Sequence, residues 1–550
     1  MNKNIVSIFA GHDANISFYN SETDTYHIIE IERITKQRYC NMHSMSAYQQ
    51  KVILENCRDI AVKFWNFKKF DLVIIACDGR IDPALLSSIF KTKNFAHVKG
   101  HHACHALSSF YQSPYEESIV ISYDGGGDDG FFNIFKASRK NHSLIPLTTI
   151  KSDFGGGYLV AGMLIKEVAE KGNPATFAGK LMGLCAYGEP INNIISPLVE
   201  FFFNKNYRKL KTELFNFLSS QNKYPNPWLG TDFEKEALGI EKYSNEPLNP
   251  KYDSSILDGQ LSYDFAASIQ RAFEVAFFLI LSDFRKDFNE NLPICLTGGC
   301  ALNVLINEKL SLINEVFVPP NPSDCGLSLG AIFAITKPTK RIEVAYSGVP
   351  LLDSEDLLKY VQDRKAKKVS IEKVAKLIKS GKIIGIAHNN SEVGPRALGN
   401  RSIVCDPSHK NMKDILNNKI KFREWYRPFA PFCKLEDASE YFDSKAFNNM
   451  QSMSFAPYVK KEFREKLPSI THIDGTARLQ TVTEKNHKFF YQLLDEFSKI
   501  SNTKVLLNTS FNIKGQPILT TIEDALKVLD ETELDYVLIE NYLFSKEKSI

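Results

Sequence analysis

No pair among the ten cysteines has Cys-x-x-Cys spacing, no run of about 18 apolar residues occurs, and neither sign of charge dominates the 550 residues. The first absence argues against a disulfide framework. With Cys77, Cys185, Cys295, Cys300 and Cys325 in apolar or Gly-rich segments, reduced and mostly buried thiols are expected. The second absence, and the lack of a long apolar stretch in Met1–Ile8, predicts a cytoplasmic chain with no membrane partner. A net charge of +3 neither demands nor excludes nucleic acid, since a basic patch can hide in a balanced total. What remains is a globular composition, 43% apolar and 24% charged, too long for one ordinary core.

Two short stretches carry chemistry. In His101-His-Ala-Cys-His105, a helix would put His101 and His105 on one face, at the spacing where two imidazoles share a metal. His102 reads instead as a packing or hydrogen-bonding residue. Downstream, the apolar run Ser118–Tyr123 enters Asp124-Gly-Gly-Gly-Asp-Asp-Gly130, a strand-end acid followed by glycines whose backbone amides can meet an anion. A metal pair beside such a turn suggests an enzyme that polarises a group attached to a nucleotide.

The surrounding pattern is α/β. Ile5–Tyr19 reads as strand, polar turn, strand, and Ile119–Phe135 repeats this with more glycine. Paired hairpins with acidic turns are what a duplicated actin/hexokinase fold shows, although two unrelated hairpins look the same in sequence. Pro293–Ile306 reads as strand, Gly298-Gly299 turn and helix, a common nucleotide seat. Asp324, ahead of the apolar helix Leu327–Ile335, is either a helix cap or a further metal ligand. Residues 200–260 look like a mainly helical insertion. Pro, Gly and charge interrupt the pattern at Thr336–Pro350, so domains over 1–340 and 351–550 are predicted.

The second domain should open with helix Ile371–Ser380 and strand Lys382–Ala387, followed by a long polar loop. Strand Lys504–Leu507, a helix near Glu523–Asp530 and strand Asp535–Ile539 should close it. Within it, arginines gather at turns: Arg396 and Arg401, Arg423 and Arg427, and Arg478. Converging planar guanidiniums suit a polyanion, whereas a solvated basic face is the plainer account of any single one. Asn508, Ser510 and Asn512 can bind ribose or phosphate, or close a turn.

Across nearly the whole chain, ordered motifs resemble the O-carbamoyltransferases that tailor nodulation factors and antibiotics. They are Gly11-His-Asp-Ala14, Glu30-Ile-Glu-Arg33 with Lys36, His101–His105, Asp124-Gly125, Gly179–Gly188 and Gly298–Asn303. Asp324-Cys-Gly326, Gly394–Ser402, Arg423–Pro431, His472–Arg478 and Asn508–Asn512 continue the series.

The resemblance implies a duplicated actin/hexokinase-like (ASKHA) domain, similar to that of the tRNA threonylcarbamoyl transferases, followed by a YrdC-like α/β domain. It implies that Arg396, Arg427, Arg478, Asn508, Ser510 and Asn512 hold carbamoyl phosphate and ATP, the latter with magnesium, to form carbamoyl adenylate. In the first domain it implies His101, His105, Asp124 and Asp324 as ligands of a divalent metal, usually iron(II), with zinc, manganese and cobalt as alternatives. Gly125, Gly126, Lys180, Gly298, Gly299 and Asn303 would bind the carbamoyl adenylate. His12 would accept the proton of the acceptor hydroxyl. The expected acceptor is a sugar, antibiotic or other natural product, or a hydroxymethyl pyrimidine in DNA, and the expected state a monomer or homodimer. Two other readings stay open: threonylcarbamoyl transfer to tRNA, and a non-catalytic actin-fold nucleotide-binding module. One departure is His388-Asn-Asn-Ser-Glu392, where the family has glycine and a basic residue at the Asn positions; it bears on one anion contact.

Overall fold

Five strands, β1 (Ile5–Phe9), β2 (Asn15–Asn20), β3 (Thr25–Glu30), β4 (Leu72–Ala76) and β5 (Phe95–Val98), form a sheet of order β3-β2-β1-β4-β5. β1 to β3 run as an antiparallel meander, and β4 and β5 add in parallel. The next five repeat it: β6 (Glu117–Tyr123), β7 (Phe132–Ser138), β8 (Ser143–Ile150), β9 (Ile294–Thr297) and β10 (Val316–Phe317), in the order β10-β9-β6-β7-β8. Strand senses match position by position. The two hairpins read from sequence are therefore related, as the duplicated actin/hexokinase architecture requires. This computed structural model describes residues 3–77, 80–169, 173–204, 257 and 259–546, so most of the expected insertion over 200–260 lies outside the described residues.

A helix follows the last strand of each sheet: His101–Gln112 after β5, and Leu327–Thr336 after β10. The two lie between the sheets and cross closely, because a Cβ on Gly330 would sit 1.9 Å from the Cys104 carbonyl oxygen. Helix Gly259–Asp287 is long and apolar enough to cross a membrane by length and composition alone, and its most apolar window is 72% buried within the protein. Phe265, Phe273 and Phe277 on it pack against Tyr123 and Phe154 in the main core.

Beyond Thr336 the chain builds an eight-stranded mixed sheet of order β11-β20-β19-β12-β13-β18-β14-β17. Its strands are β11 (Lys367–Lys368), β12 (Ile384–Ala387), β13 (Arg401–Cys405), β14 (Ala430–Lys434), β17 (Gln480–Val482), β18 (Val505–Ser510), β19 (Tyr536–Ile539) and β20 (Tyr542–Ser545). A separate pair is formed by β15 (Phe442–Asp443) and β16 (Tyr458–Val459). Helices Ile371–Lys379 and Ile522–Glu531 begin where Ser370 and Thr521 accept a backbone N–H, within a residue of the expected bounds. The expected long polar loop is a correction: it contains β13 and β14, which flank β18 near the middle of the sheet. One continuous apolar cluster runs from Tyr123 and Phe273 through Tyr426 to Phe511, so the two halves share a core.

Candidate active sites

The duplication brings two hairpin turns and two helix starts to one place. The β1–β2 turn carries His12 and Asp13, the β6–β7 turn carries Asp124, one helix opens with His101 and His105, and Asp324 stands before the other. One donor atom from each of His101, His105, Asp124 and Asp324 lies within 4.8 Å of the rest. The two imidazole Nε2 atoms are 3.1 Å apart, His105 Nε2 is 3.3 Å from Asp124 Oδ2, and both rings lie 3.4 Å from Asp324 Oδ1. Such separations suit neighbouring ligands of a cation with bonds of about 2.0–2.2 Å. Two neutral nitrogens and two carboxylates fit a mid-series divalent ion without choosing among iron, zinc, manganese and cobalt.

Backbone groups aim these ligands. Gly125 N–H (2.7 Å) and Gly299 N–H (2.6 Å) donate to the two oxygens of Asp124. Those amides were expected to meet an external anion; they are occupied by the protein's own carboxylate. Gly126 is in the left-handed half of backbone space (φ 154°), and Gly298 (φ 86°) approaches Tyr123 so closely that a Cβ would fall 2.2 Å from its carbonyl oxygen. Asp128 and Asp129, part of the quoted glycine-rich motif but given no role, cap the helix that carries His101 and His105. Asp128 accepts Gly100 N–H and His101 N–H (3.1 and 2.6 Å), and Asp129 accepts His102 N–H and Ala103 N–H (2.8 and 3.2 Å). His102 pairs with Ser122 Oγ and the Gly130 carbonyl, the hydrogen-bonding role expected of it. Asn15, fully buried and missed in sequence, donates to the carbonyls of Asp13 and Asp324 at 2.8 Å each and ties turn to helix.

His12 differs from the four. Its side chain is 67% exposed, with Nε2 3.4 Å from Asp324 Oδ2 and Nδ1 3.5 Å from Asp13 Oδ2. The Asp324 charge, aided by Asp13, pushes its pKa up to about 10. Burial works against protonation of His101, yet the Asp324 carboxylate pushes it up to about 11. A cation here must displace those protons, since only neutral imidazole ligates.

The other residues assigned to carbamoyl adenylate lie differently. Lys180 Nζ donates to the Val168 carbonyl (3.0 Å) and lies 3.4 Å from Glu424 of the second half. Asn303 is a helix cap for Ile306 N–H and is bonded to Gln270, so its polar atoms serve the core.

In the second half the arginines converge. Burial first, and then mutual repulsion, pulls Arg396 down to about 10 and Arg423 to about 9, with Arg427 the largest source of repulsion in both. Arg478 is lowered by burial and then by Arg396, Arg423 and Arg427. Lys421 is buried, and among the described residues its ammonium donates to neutral oxygens alone, those of Ser510 and Asn512, at 2.5–3.2 Å. Glu424 is the acid against this group, 3.6 Å from Arg427 Nε. So many cations with so little counter-charge among the described residues suit a polyanion. Ser510 and Asn512 thus hold Lys421, and Asn508 Nδ2 holds the Ala397 carbonyl (3.0 Å) and Gln480. Arg423 was legible as one of the arginines gathered at turns, whereas Lys421 was given no role of its own. The Asn389 and Asn390 carbonyls at the family departure are taken by Arg401 and Asn400.

Residues 6–333 match the family model described as the carbamoyltransferase N-terminus, and residues 375–546 match the carbamoyltransferase C-terminus. The chain belongs to the carbamoyltransferase family. This carbamoyltransferase is 31% identical over 471 residues to nodulation protein NolO of Bradyrhizobium diazoefficiens, covering 81% of this chain and 78% of that one. It is 30% identical over 485 residues to nodulation protein NolNO of Sinorhizobium fredii, covering 85% of this chain and 65% of the relative. Among solved structures, full-length HypF in the phosphate- and nucleotide-bound form overlaps 60% of this carbamoyltransferase and 54% of its own chain, at a TM-score of 0.32 and 14% identity.

Proposed function

We propose that the protein is an ATP-dependent O-carbamoyltransferase with two cooperating sites, one in each half. The observation that carries this is electrostatic. Arg396, Arg423, Arg427 and Arg478, each half-buried, and the buried Lys421 face Glu424, the single acid against them among the described residues, while the other half offers an acidic, imidazole-lined cage. The first suits phosphates and the second a cation.

In the arginine chamber carbamoyl phosphate loses phosphate to water. The carbamate oxygen then attacks the α-phosphorus of ATP, pyrophosphate leaves, and carbamoyl adenylate forms. The guanidiniums hold the reacting oxygens together and offset their charge. In the first half the acceptor hydroxyl attacks the carbamoyl carbon and AMP departs. A divalent metal held by His101, His105, Asp124 and Asp324 supplies Lewis acidity toward the carbamoyl oxygen. His12, on the open side of the cage, takes the hydroxyl proton; it is free to do so once the Asp324 charge is engaged elsewhere and no longer stabilises imidazolium. The acceptor on this reading is a small-molecule hydroxyl.

The test uses ¹³C-carbamoyl phosphate and ATP. Pyrophosphate release and labelled carbamoyl adenylate by mass spectrometry are expected from the wild type. His12→Asn should retain both while transfer to a panel of hydroxyl acceptors falls by about 10²–10⁴-fold. Loss of adenylate formation together with transfer would contradict the division of labour.

A further inference from the structure

The motif Glu30-Ile-Glu-Arg33 has no part in the chemistry above, yet it makes a heavily bonded contact between the halves. Glu30 ends β3, opposite Asn15 in the register, and Arg33 follows in the short helix Ile31–Thr35. The Arg33 side chain is 3% exposed. It pairs with the Glu30 carboxylate, donates through Nη1 to Ser391 Oγ (3.2 Å) and the Glu392 carbonyl, and through Nη2 to the Gly394 carbonyl (2.7 Å). Gly394 N–H returns a bond to Glu30 Oε1 at 3.1 Å. The ion pair thus grips the N–H and the carbonyl of one glycine in the other half.

That glycine begins the turn that carries Arg396. Its far side is held by Glu392, whose Oε1 accepts the N–H groups of Leu398, Gly399, Asn400 and Arg401 at 2.7–3.0 Å. Asn508 pins the Ala397 carbonyl between them. Arg396 therefore projects from a turn fixed at its entrance by the first half and along its exit by a buried carboxylate. On the other side of Glu30, Asn15 holds the carbonyls of Asp13 and Asp324 beside the metal cage. A buried ion pair contributes little that apolar packing could not, but it permits one geometry.

We propose that Glu30 and Arg33 are positioning residues for adenylate formation, setting the place of Arg396 from the opposite half of the molecule. This rests on the proposed function. Arg33→Lys keeps the positive charge but loses the planar fork that reaches several acceptors at once. Ser391→Ala removes one of those acceptors with little change in volume.

Pyrophosphate release from carbamoyl phosphate and ATP, normalised to folded protein by thermal melting, is measured for the wild type and both variants. Arg33→Lys should lower kcat by about 10²-fold and leave the KM for ATP within about twofold, as displacement of a reacting group does. Ser391→Ala should lower kcat a few-fold at an unchanged melting temperature. Wild-type kcat in Ser391→Ala, or a loss in Arg33→Lys that only follows its unfolded fraction, would overturn the positioning role alone. A wild-type protein that releases no pyrophosphate would overturn the adenylation reading and this proposal with it.

Discussion

His101 points into the cage because two acids that never touch its ring hold the start of its helix. Asp128 and Asp129 satisfy the amides of Gly100 to Ala103 that a helix leaves open, and their charges suit its N-terminal dipole. Asp128→Ala should cost about 0.5–2 kcal/mol of stability. It should also weaken metal retention by about 10–100-fold, measured by competition with a chelator, because ligand aim is lost along with the cap. Unchanged chelator competition would mean that the cap stabilises the helix without aiming its histidines. At this scale the sequence disclosed much. The i, i+4 imidazoles were visible as such, and Asp324 was open between cap and ligand until its carboxylate appeared 3.4 Å from both rings. What it could not disclose was the internal use of polar groups. The Gly299 amide serves Asp124, and Asn303 serves the core, because backbone accounting depends on segments of the chain many residues apart.

Elements fix these residues through one close crossing. Gly330 lets the Leu327–Thr336 helix lie on the His101–Gln112 helix at Cys104, three residues from His101 and one from His105. A methyl group there would force one backbone to shift. Gly330→Ala is predicted to destabilise the protein by about 1–3 kcal/mol, seen in chemical denaturation, and to lower metal content in parallel. Wild-type stability would show that the crossing is not tight. The hairpin repeat was legible because its alternation and turns are local. β13 and β14 were not, since their short apolar runs sit among arginines and prolines and become strands only by pairing with β18.

For the molecule as a whole, the halves are joined by a common core and by buried polar links. Glu308, on the helix Val304–Ser311, accepts Ser444 Oγ at 2.6 Å, and Asn307 beside it donates to the Ser454 carbonyl at 2.8 Å. Burial pushes Glu308 up from 4.5 to about 7. A carboxyl raised in the folded state binds its proton more tightly there, so its contribution is whole below pH 4.5 and is lost as pH rises through about 7. Glu308→Gln should therefore flatten the decline in stability over that window, making the variant more stable than the wild type at pH 8 by roughly 2–3 kcal/mol. Parallel stability curves for the two proteins would refute this.

The proposed transfer chemistry depends most on a cation sitting between side chains from three separate segments. Anomalous X-ray scattering from crystals loaded anaerobically with iron(II) tests that directly. One peak bonded to His101, His105, Asp124 and Asp324 is predicted, absent when Asp324 is replaced by Asn. No peak there, in protein that carbamoylates an acceptor at full rate without metal, would contradict it.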